Sequence, residues 1–262
     1  MRIGFIGAGR MGAPMVRRLA DAGHQVRALG RDDEKCAAIA ELGAEPVGSA
    51  REAVKDADVT IVCVFTDEQV RELCPDLLDV MPEGSVLVLH TTGSPRTAEA
   101  LAERGASRGV AVIDAPVSGG PHDIAAGSVT VFAGGHEDAV ARAREALTTY
   151  ADPVLHVGPV GAGQRVKLVN NALFAAQIGV VAEGVRLGDR LGIDEATLLS
   201  ALTHGSAASR ALGGIAATGS ADAFIERVGE FIGKDVAVVR STASELDSDL
   251  GRLEGLLDAA IR

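Results

Sequence analysis

Residues 2–12 read Arg-Ile-Gly-Phe-Ile-Gly-Ala-Gly-Arg-Met-Gly, which places the pattern GxGxxG between a short apolar run and an amphipathic stretch. The apolar run predicts a buried strand, and Met11–Ala22 predicts a helix. In such a unit Gly7 permits a tight turn, Gly9 lets the backbone approach a phosphate group, and Gly12 allows close packing of helix on strand. The stretch therefore predicts a parallel α/β fold with an anion site at the start of its first helix.

The same alternation continues through the first 158 residues. Four more apolar runs are rich in Val and Ile: Val26–Leu29, Val59–Phe65, Val86–Leu89 and Val110–Ile113. They are continuous rather than alternating, which is typical of strands buried on both faces of a parallel sheet. Helical patterns lie between them, over Asp33–Leu42, Asp67–Leu78 and Arg96–Ser107. A strand, a helix and a strand extend the pattern: Val129–Ala133, Glu137–Tyr150 and Val154–Val157. Together they predict a doubly wound parallel sheet.

The pattern changes after Gly158. A helix is predicted from roughly Gln164 to Leu191, and its middle, residues 172–181, is apolar on every side, which is typical of a buried helix. At 1.5 Å per residue it would be about 40 Å long. We expect it to join a first domain, 1–158, to a smaller all-α domain, 159–262, and to pack against a partner subunit.

Composition excludes several classes of protein. The 262 residues are 47% hydrophobic and 23% charged, as in an ordinary soluble protein, and the net charge of −11 disfavours nucleic acids and anionic membranes as partners. The three cysteines form no CxxC pair and the six histidines are scattered, so neither a disulfide framework nor a metal site is predicted. No apolar stretch approaches the ~18 residues of a membrane span, and no signal peptide is recognisable. We therefore expect a cytoplasmic protein.

The second predicted strand indicates which dinucleotide would bind. A carboxylate at its end would bond the ribose hydroxyl of NAD, whereas this strand is followed by Gly30-Arg31, and a guanidinium suits the 2′-phosphate of NADP. Asp32 and Asp33 follow at once, so NAD stays as the alternative. Residues 1–35 carry seven Arg or Lys and four Asp or Glu, which favours NADP. The predicted cofactor contacts here are Gly7, Ala8, Gly9, Arg10, Met11, Gly12, Gly30 and Arg31.

Three later segments accompany the glycine motif. They read Asp-Ala-Pro-Val-Ser-Gly-Gly at 114–120, Gly-Ala-Gly-Gln-Arg-Val-Lys-Leu-Val-Asn-Asn at 161–171, and Gly-Lys-Asp at 233–235. In this order the four segments resemble the β-hydroxyacid dehydrogenases, a family that includes 3-hydroxyisobutyrate dehydrogenase and several semialdehyde reductases and is related to 6-phosphogluconate dehydrogenase. The resemblance implies a Rossmann-type domain, NADP or NAD as cofactor, a small carboxylate-bearing substrate and a homodimer.

The resemblance also implies roles for single residues. Lys167 matches the family's catalytic lysine, and Asn171, four residues later on the same helical face, matches an asparagine that positions it or contacts the substrate. Ser118, Gly119 and Gly120 match the loop that binds the substrate carboxylate. Thr92 matches a residue that contacts the nicotinamide part of the cofactor, and Lys234 matches a lysine that reaches the cofactor from the C-terminal domain. From the residues alone, Ser-Gly-Gly equally suits a turn, Thr92 a helix cap, and Lys234 a surface charge.

Two other functions share this architecture. One is an imine reductase, whose members usually replace the lysine found here at Lys167; the other is a non-catalytic dinucleotide-binding module, which would also lose it. The chain ends at Arg262, earlier than most relatives. The resemblance therefore implies that the last helices of the substrate domain are missing or compressed, which leaves the identity of the hydroxyacid open.

Overall fold

The computed structural model describes residues 1–258, apart from the side chain of Glu230; the end of the predicted second domain, 259–262, lies outside the described residues. The chain divides into two compact units, the first covering Met1–Lys167 and the second beginning at Leu168. The predicted boundary at Gly158 preceded the long helix, whereas this division falls within it. The difference arises because the first turn of the helix is bonded to the end of a strand in the first unit.

The first unit is built on a nine-stranded sheet. Its strands are β1 (Arg2–Ile6), β2 (Gln25–Leu29), β3 (Glu45–Val47), β4 (Val59–Val62), β5 (Val86–Leu89), β6 (Ala111–Asp114), β7 (Val117–Ser118), β8 (Val129–Gly134) and β9 (Ala151–Gly158). They lie in the order β3-β2-β1-β4-β5-β6-β8-β7, with β9 paired to β8. Strands β1 to β6 are parallel, which confirms the doubly wound sheet, while β8 runs antiparallel to β6 and β7. The chain order reverses between β1 and β4, where such sheets form a ligand crevice at the carboxyl ends of the strands.

Helices cover both faces of this sheet. They are α1 (Gly12–Asp21), α2 (Asp33–Glu41), α3 (Ala50–Val54), α4 (Asp67–Leu78), α5 (Pro95–Ala106), α6 (Pro121–Ala125) and α7 (Glu137–Leu147). Alternate residues of β1 serve two separate cores. Phe5 belongs to the core that includes residues of α1 and α7, whereas Ile6 belongs to the core that includes residues of α4 and α5. The continuous apolar strands are therefore buried on both sides, as their sequences predicted.

The long helix α8 (Ala162–Arg190) agrees within two residues at each end with the predicted helix over 164–191. Every later element of the second unit within residues 1–258 is also helical: α9 (Glu195–Leu202), α10 (Arg210–Thr218), α11 (Ala221–Glu245) and α12 (Leu253–Asp258). This unit has its own core, in which Ile178 of α8 packs with Ile215 of α10 and Val236 of α11. The prediction of an all-α second part is confirmed for the described residues.

Four elements differ from the predictions for local reasons. The predicted strand Val59–Phe65 ends at Val62, because Thr66 and Gln69 form a capping box that starts α4. The predicted helix Glu137–Tyr150 ends at Leu147, since the hydroxyls of two threonines that follow it donate to carbonyls of its last turn. Strands β3 and β7, of three and two residues, were not predicted because so short a run carries no pattern.

Helix α8 also modifies one expectation about membranes. Among the residues described, it is a helix long and apolar enough, by length and composition, to cross a bilayer. No membrane span was predicted, because no uninterrupted apolar stretch of the sequence approaches the ~18 residues of a span. A core helix of a soluble protein passes the same test of length and composition.

Candidate active site

The glycine turn follows β1 and contains two glycines that the protein's own packing requires. Gly7 has a φ of +99°, and a Cβ on it would collide with the carbonyl of Cys63. A Cβ on Gly12 would collide with the carbonyl of Gly7. By contrast, a Cβ on Gly9 would meet nothing within 4 Å. Gly9 therefore faces open space, and the bare backbone there leaves room for a ligand rather than for another part of the protein.

The start of α1 has the chemistry that a phosphate group needs. Its N-cap residue, Met11, makes no side-chain hydrogen bond to the first turn, in contrast to the side-chain caps of α2, α3 and α4. The first intrahelical bond runs from the amide of Ala13 to the carbonyl of Gly9 at 2.8 Å. Earlier amides of the helix have no intrahelical carbonyl partner and, with the helix dipole, attract an anion. Together with the open space at Gly9, this geometry fits a dinucleotide pyrophosphate.

The end of β2 presents Arg31 rather than a carboxylate. The amide of Gly30 donates to the carbonyl of Val47 at 3.0 Å, which keeps this loop beside β3, and Arg31 is exposed. Asp32 is the N-cap of α2, and its carboxylate accepts from the amide of Lys35 at 2.8 Å. This carboxylate is therefore engaged in starting the helix, while the neighbouring guanidinium lies at the surface.

The loop after β5 holds Thr92 between two bonded neighbours. The hydroxyl of Thr91 donates to the carbonyl of Val64 at 3.0 Å and accepts from its amide at 3.1 Å. On the other side, the amide of Gly93 donates to Gln164 Oε1 at 3.0 Å. Ser94, not Thr92, caps α5, because its side chain accepts from the first turn of that helix. The helix-cap alternative for Thr92 is therefore wrong.

The Ser-Gly-Gly segment forms β7 and the turn after it. Ser118 pairs with Thr130 of β8, and Gly119 has a φ of +139°. The amide of Gly120 donates to Asp123 Oδ2 at 2.7 Å. In the loop predicted to bind the substrate carboxylate, the amide of Gly120 is therefore already bonded to a carboxylate of the protein itself. The Ser-Gly-Gly motif predicts that this amide binds the substrate, and it assigns no role to Asp123.

Helix α8 begins on a buried carboxylate. Asp114, at the end of β6, is 0% exposed and accepts hydrogen bonds from the amides of Gly161 and Gln164, each at 2.7 Å. Burial raises the pKa of Asp114 to about 6, although both amide bonds act in the opposite direction. The carboxylate supplies acceptors for the first amides of the helix, and so fixes where α8 starts.

Gln164 then ties this helix to the Thr92 loop. Its Nε2 donates to the carbonyl of Thr91 at 2.8 Å, and its Oε1 accepts the bond from Gly93. Lys167 and Asn171 follow at spacings of three and seven residues, so the three side chains project from one face of α8. Lys167 is half-buried and Asn171 is 5% exposed, and the side chain of Asn170 donates to Asn171 Oδ1 at 3.2 Å.

In the first unit, the predicted cofactor residues follow the carboxyl ends of the parallel strands β1, β2 and β5. Ser118, Gly119 and Gly120 lie at β7 and the turn after it, and Lys167 lies in α8. Asn171 and Lys234 belong to the second unit, where Lys234 is a half-buried residue of α11. Asp114 and Gln164 lie within the sequence motifs, but the motifs assign them no role. An aspartate ending a buried strand was a signal, since such a carboxylate needs donors.

Comparisons with known proteins agree with this geometry. Residues 2–158 match the family model of the NAD binding domain of 6-phosphogluconate dehydrogenase, and residues 161–254 match the model described as NAD-binding of NADP-dependent 3-hydroxyisobutyrate dehydrogenase. A probable 3-hydroxyisobutyrate dehydrogenase of Mycobacterium tuberculosis is 37% identical over 204 residues, covering 77% of this chain and 68% of that protein.

Two further relatives extend the comparison. An NAD-dependent L-serine dehydrogenase of Pseudomonas aeruginosa is 34% identical over 214 residues, covering 80% of this chain and 72% of that protein. The solved structure of Mycobacterium tuberculosis 3-hydroxyisobutyrate dehydrogenase with L-serine is 29% identical and superimposes with a TM-score of 0.88, covering 98% of this chain and 91% of that one.

Proposed function

The chain belongs to the β-hydroxyacid dehydrogenase family, and we propose that it is an NADP-dependent oxidoreductase that interconverts a small β-hydroxyacid and its semialdehyde or keto acid. The attachment of α8 to the loop after β5 is the observation that carries this proposal. Gln164 bonds the backbone on both sides of Thr92, and Lys167 lies one turn further along the same face. A proton-transferring lysine would thus be held in register with the loop expected to contact nicotinamide.

The cofactor would lie along the carboxyl edge of the sheet. The turn from Gly7 to Gly12, including Ala8, Arg10 and Met11, would bind the pyrophosphate, because Gly9 is open and the first amides of α1 lack a side-chain cap. Gly30 and Arg31 would face the adenosine ribose, and Thr92 and Lys234 would contact the rest of the dinucleotide. When bound, the nicotinamide ring supplies or accepts the hydride.

Arg31 supports NADP as the preferred cofactor. An NAD site uses a carboxylate at this edge for the ribose hydroxyls, and here the carboxylate of Asp32 caps α2 instead. A guanidinium can make charge-assisted hydrogen bonds to a 2′-phosphate. NAD is the alternative, and the ratio of NADPH to NADH activity decides between them.

Lys167 would act as the general acid and base. Hydride transfer to a carbonyl carbon leaves charge on its oxygen, and an ammonium group can donate the proton that neutralises it. In the oxidative direction the amine would remove the proton from the hydroxyl. Asn171, on the same helical face, would hold the lysine or the substrate oxygen in place.

The substrate carboxylate would bind at Ser118, Gly119 and Gly120. The side-chain hydroxyl and the amide of Gly119 are suitable donors. The amide of Gly120 is already bonded to Asp123, so a substrate carboxylate would share this loop with a fixed negative charge. This proximity favours a short substrate that reaches the loop without crowding that carboxylate.

We further propose a cytoplasmic homodimer that associates through α8. One side of this helix carries exposed apolar residues at intervals of four and seven: Val169, Leu173, Val180 and Leu187. Such a stripe suits packing against a second helix, and a contiguous exposed apolar surface of this kind marks an association site. Sedimentation of the wild type and of a Val180→Glu, Leu187→Glu double variant tests this. We expect the wild type to sediment as a dimer and the double variant as a monomer.

The enzymatic proposal is tested with purified protein, NADPH or NADH, and a panel of glyoxylate and succinic, tartronate and methylmalonate semialdehydes. Lys167→Ala should lower kcat about 10²- to 10⁴-fold, whereas Lys55→Ala, at an exposed lysine, serves as the matched control. Unchanged turnover in Lys167→Ala contradicts the proposed mechanism. Reaction of cyclic imines alone would replace it with the imine reductase alternative.

The cofactor preference is tested on the same panel. Arg31→Ala should raise KM for NADPH about tenfold, the value of one charge-assisted interaction, and leave KM for NADH unchanged. Arg51→Ala is the control at another exposed arginine. A preference for NADH that Arg31→Ala does not alter would overturn the assignment of NADP.

A further inference from the structure

A buried polar pair lies behind the carboxyl ends of β5 and β6. His90 is 3% exposed and Tyr150 is 0% exposed. His90 Nδ1 lies 2.5 Å from the carbonyl oxygen of Ala115, and His90 Nε2 lies 2.7 Å from the hydroxyl of Tyr150. Because a carbonyl only accepts, Nδ1 carries the proton and Nε2 accepts from the tyrosine. Burial lowers the pKa of His90 to about 4, so the ring is neutral and this tautomer is fixed.

Packing alone does not explain such a pair. Burying an imidazole and a phenol removes both from water, and their hydrogen bonds do little more than offset that loss. Two apolar side chains of similar volume would fill the same space without this requirement. Unlike an apolar pair, the polar pair fixes an orientation, because the hydrogen bond requires the imidazole to face one particular carbonyl.

That carbonyl connects two loops of the candidate site. His90 immediately precedes Thr91-Thr92, and Ala115 lies three residues before Ser118. After Ala115, the chain is held by β8, since the amide of Phe132 donates to the carbonyl of Pro116 at 3.1 Å. The His90–Ala115 bond therefore joins the loop after β5, which bears Thr92 (the Thr92 loop), to residues 115–120, which include Ser118 at the end of β7 (the Ser118 loop).

We infer that His90 is a positioning residue that sets the spacing between the Thr92 loop and the Ser118 loop. The inference rests on the proposed function to the extent that these loops bind nicotinamide and substrate carboxylate. Reacting atoms in a hydride transfer must come within about 3–3.5 Å, and a displacement of about 1 Å costs roughly a hundredfold in rate. A fixed spacing between the two loops is therefore a condition for turnover, and not only for binding.

Amide hydrogen exchange tests the positioning without any substrate. His90→Leu removes the donor to Ala115, whereas His90→Asn can present an amide N–H near the position of Nδ1. We expect exchange over residues 115–120 to become about tenfold faster in His90→Leu and to stay within about threefold of wild type in His90→Asn. Exchange over residues 2–20 is the internal control and should not change. Equal acceleration in both segments, or none in 115–120, overturns the inference.

Kinetics with NADPH and a reacting member of the panel give the second readout. We expect His90→Leu to lower kcat about tenfold, to leave KM for NADPH within about twofold, and to enlarge the deuterium isotope effect from NADPH labelled at C4. His90→Asn should recover most of kcat. Wild-type kcat and isotope effect in His90→Leu would contradict the inference.

The two experiments separate the two proposals. If the wild type reduces no member of the panel, the proposed function fails, whereas the exchange rates still decide whether His90 positions the Ser118 loop. If the wild type is active and His90→Leu matches it in both assays, the positioning inference alone fails.

Discussion

Protonation of Asp114 should leave a measurable signature in the stability of the first unit. This carboxyl is fully buried and bonded to two amides at the start of α8, and burial raises its pKa from the ordinary 3.8 to about 6. The folded state therefore holds the proton more tightly than the unfolded state. The resulting stabilisation is fully present below pH 4 and is lost as the pH rises through about 6. The full rise of the pKa from 3.8 to about 6 corresponds to about 3 kcal/mol.

Asp114→Asn removes this titration. The variant keeps one acceptor oxygen but turns an NH₂ group toward the second amide, which costs about 1–3 kcal/mol at every pH. We expect it to be clearly less stable than wild type at pH 4. At pH 7.5 the wild type bears the cost of a buried charge, so the two should be similar. The stability of the wild type relative to the variant should thus fall by about 2 kcal/mol between these pH values.

Urea unfolding followed by far-ultraviolet circular dichroism from pH 4 to pH 8 measures this difference. Because the chain has two units, urea can produce more than one unfolding transition. The comparison uses the transition whose midpoint changes in Asp114→Asn. Asp76→Asn, at an exposed position of α4, serves as the matched control. A difference between wild type and Asp114→Asn that is constant over this range would refute the reasoning.

Three further predictions concern the candidate site. Gly9→Ala should keep the melting temperature while weakening NADPH binding at least about tenfold by calorimetry, whereas Gly7→Ala, which collides with backbone, should lower the melting temperature itself. Asp123→Asn can still accept from the amide of Gly120 and removes one negative charge, so KM for a carboxylated substrate should fall about three- to tenfold; a KM that rises contradicts this. Gln164→Leu leaves the amide of Gly93 without its partner and should lower kcat about tenfold in steady-state assays, with unaltered kcat as the contrary result.

Much of the fold could be predicted from the sequence because each signal was local. The continuous apolar strands and the glycine turn predicted the parallel sheet, and the all-round apolar middle of α8 predicted the long helix. The short strands β3 and β7 escaped prediction, because pairing with neighbouring strands, rather than their own residues, makes them extended. The antiparallel placement of β8 escaped for the same reason.

The candidate site was predicted less completely. Motifs selected the residues that would touch ligands, such as Lys167, and those residues stay predictions until they are tested. The motifs gave no role to Asp123, whose carboxylate bonds an amide only three residues away. They also gave no role to Gln164, whose function depends on backbone groups far apart in the chain. The side chain of Gln164 reaches groups more than seventy positions away. No spacing rule within a helix or strand could reveal such a contact.

These long-range contacts share one chemical form, in which a side chain at a strand or helix end bonds the backbone of a neighbouring loop. Thr91 bonds Val64, His90 bonds Ala115, and Asp114 bonds the start of α8. Backbone groups keep their positions when the side chains of a loop change, so such bonds fix loop spacing independently of loop sequence. The side chains that contact ligands could therefore vary with the substrate, while these side-chain-to-backbone bonds stay constant. It follows that substitutions of the side chains that make these bonds should act on kcat, whereas substitutions of the ligand-contacting side chains in the loops should act on KM.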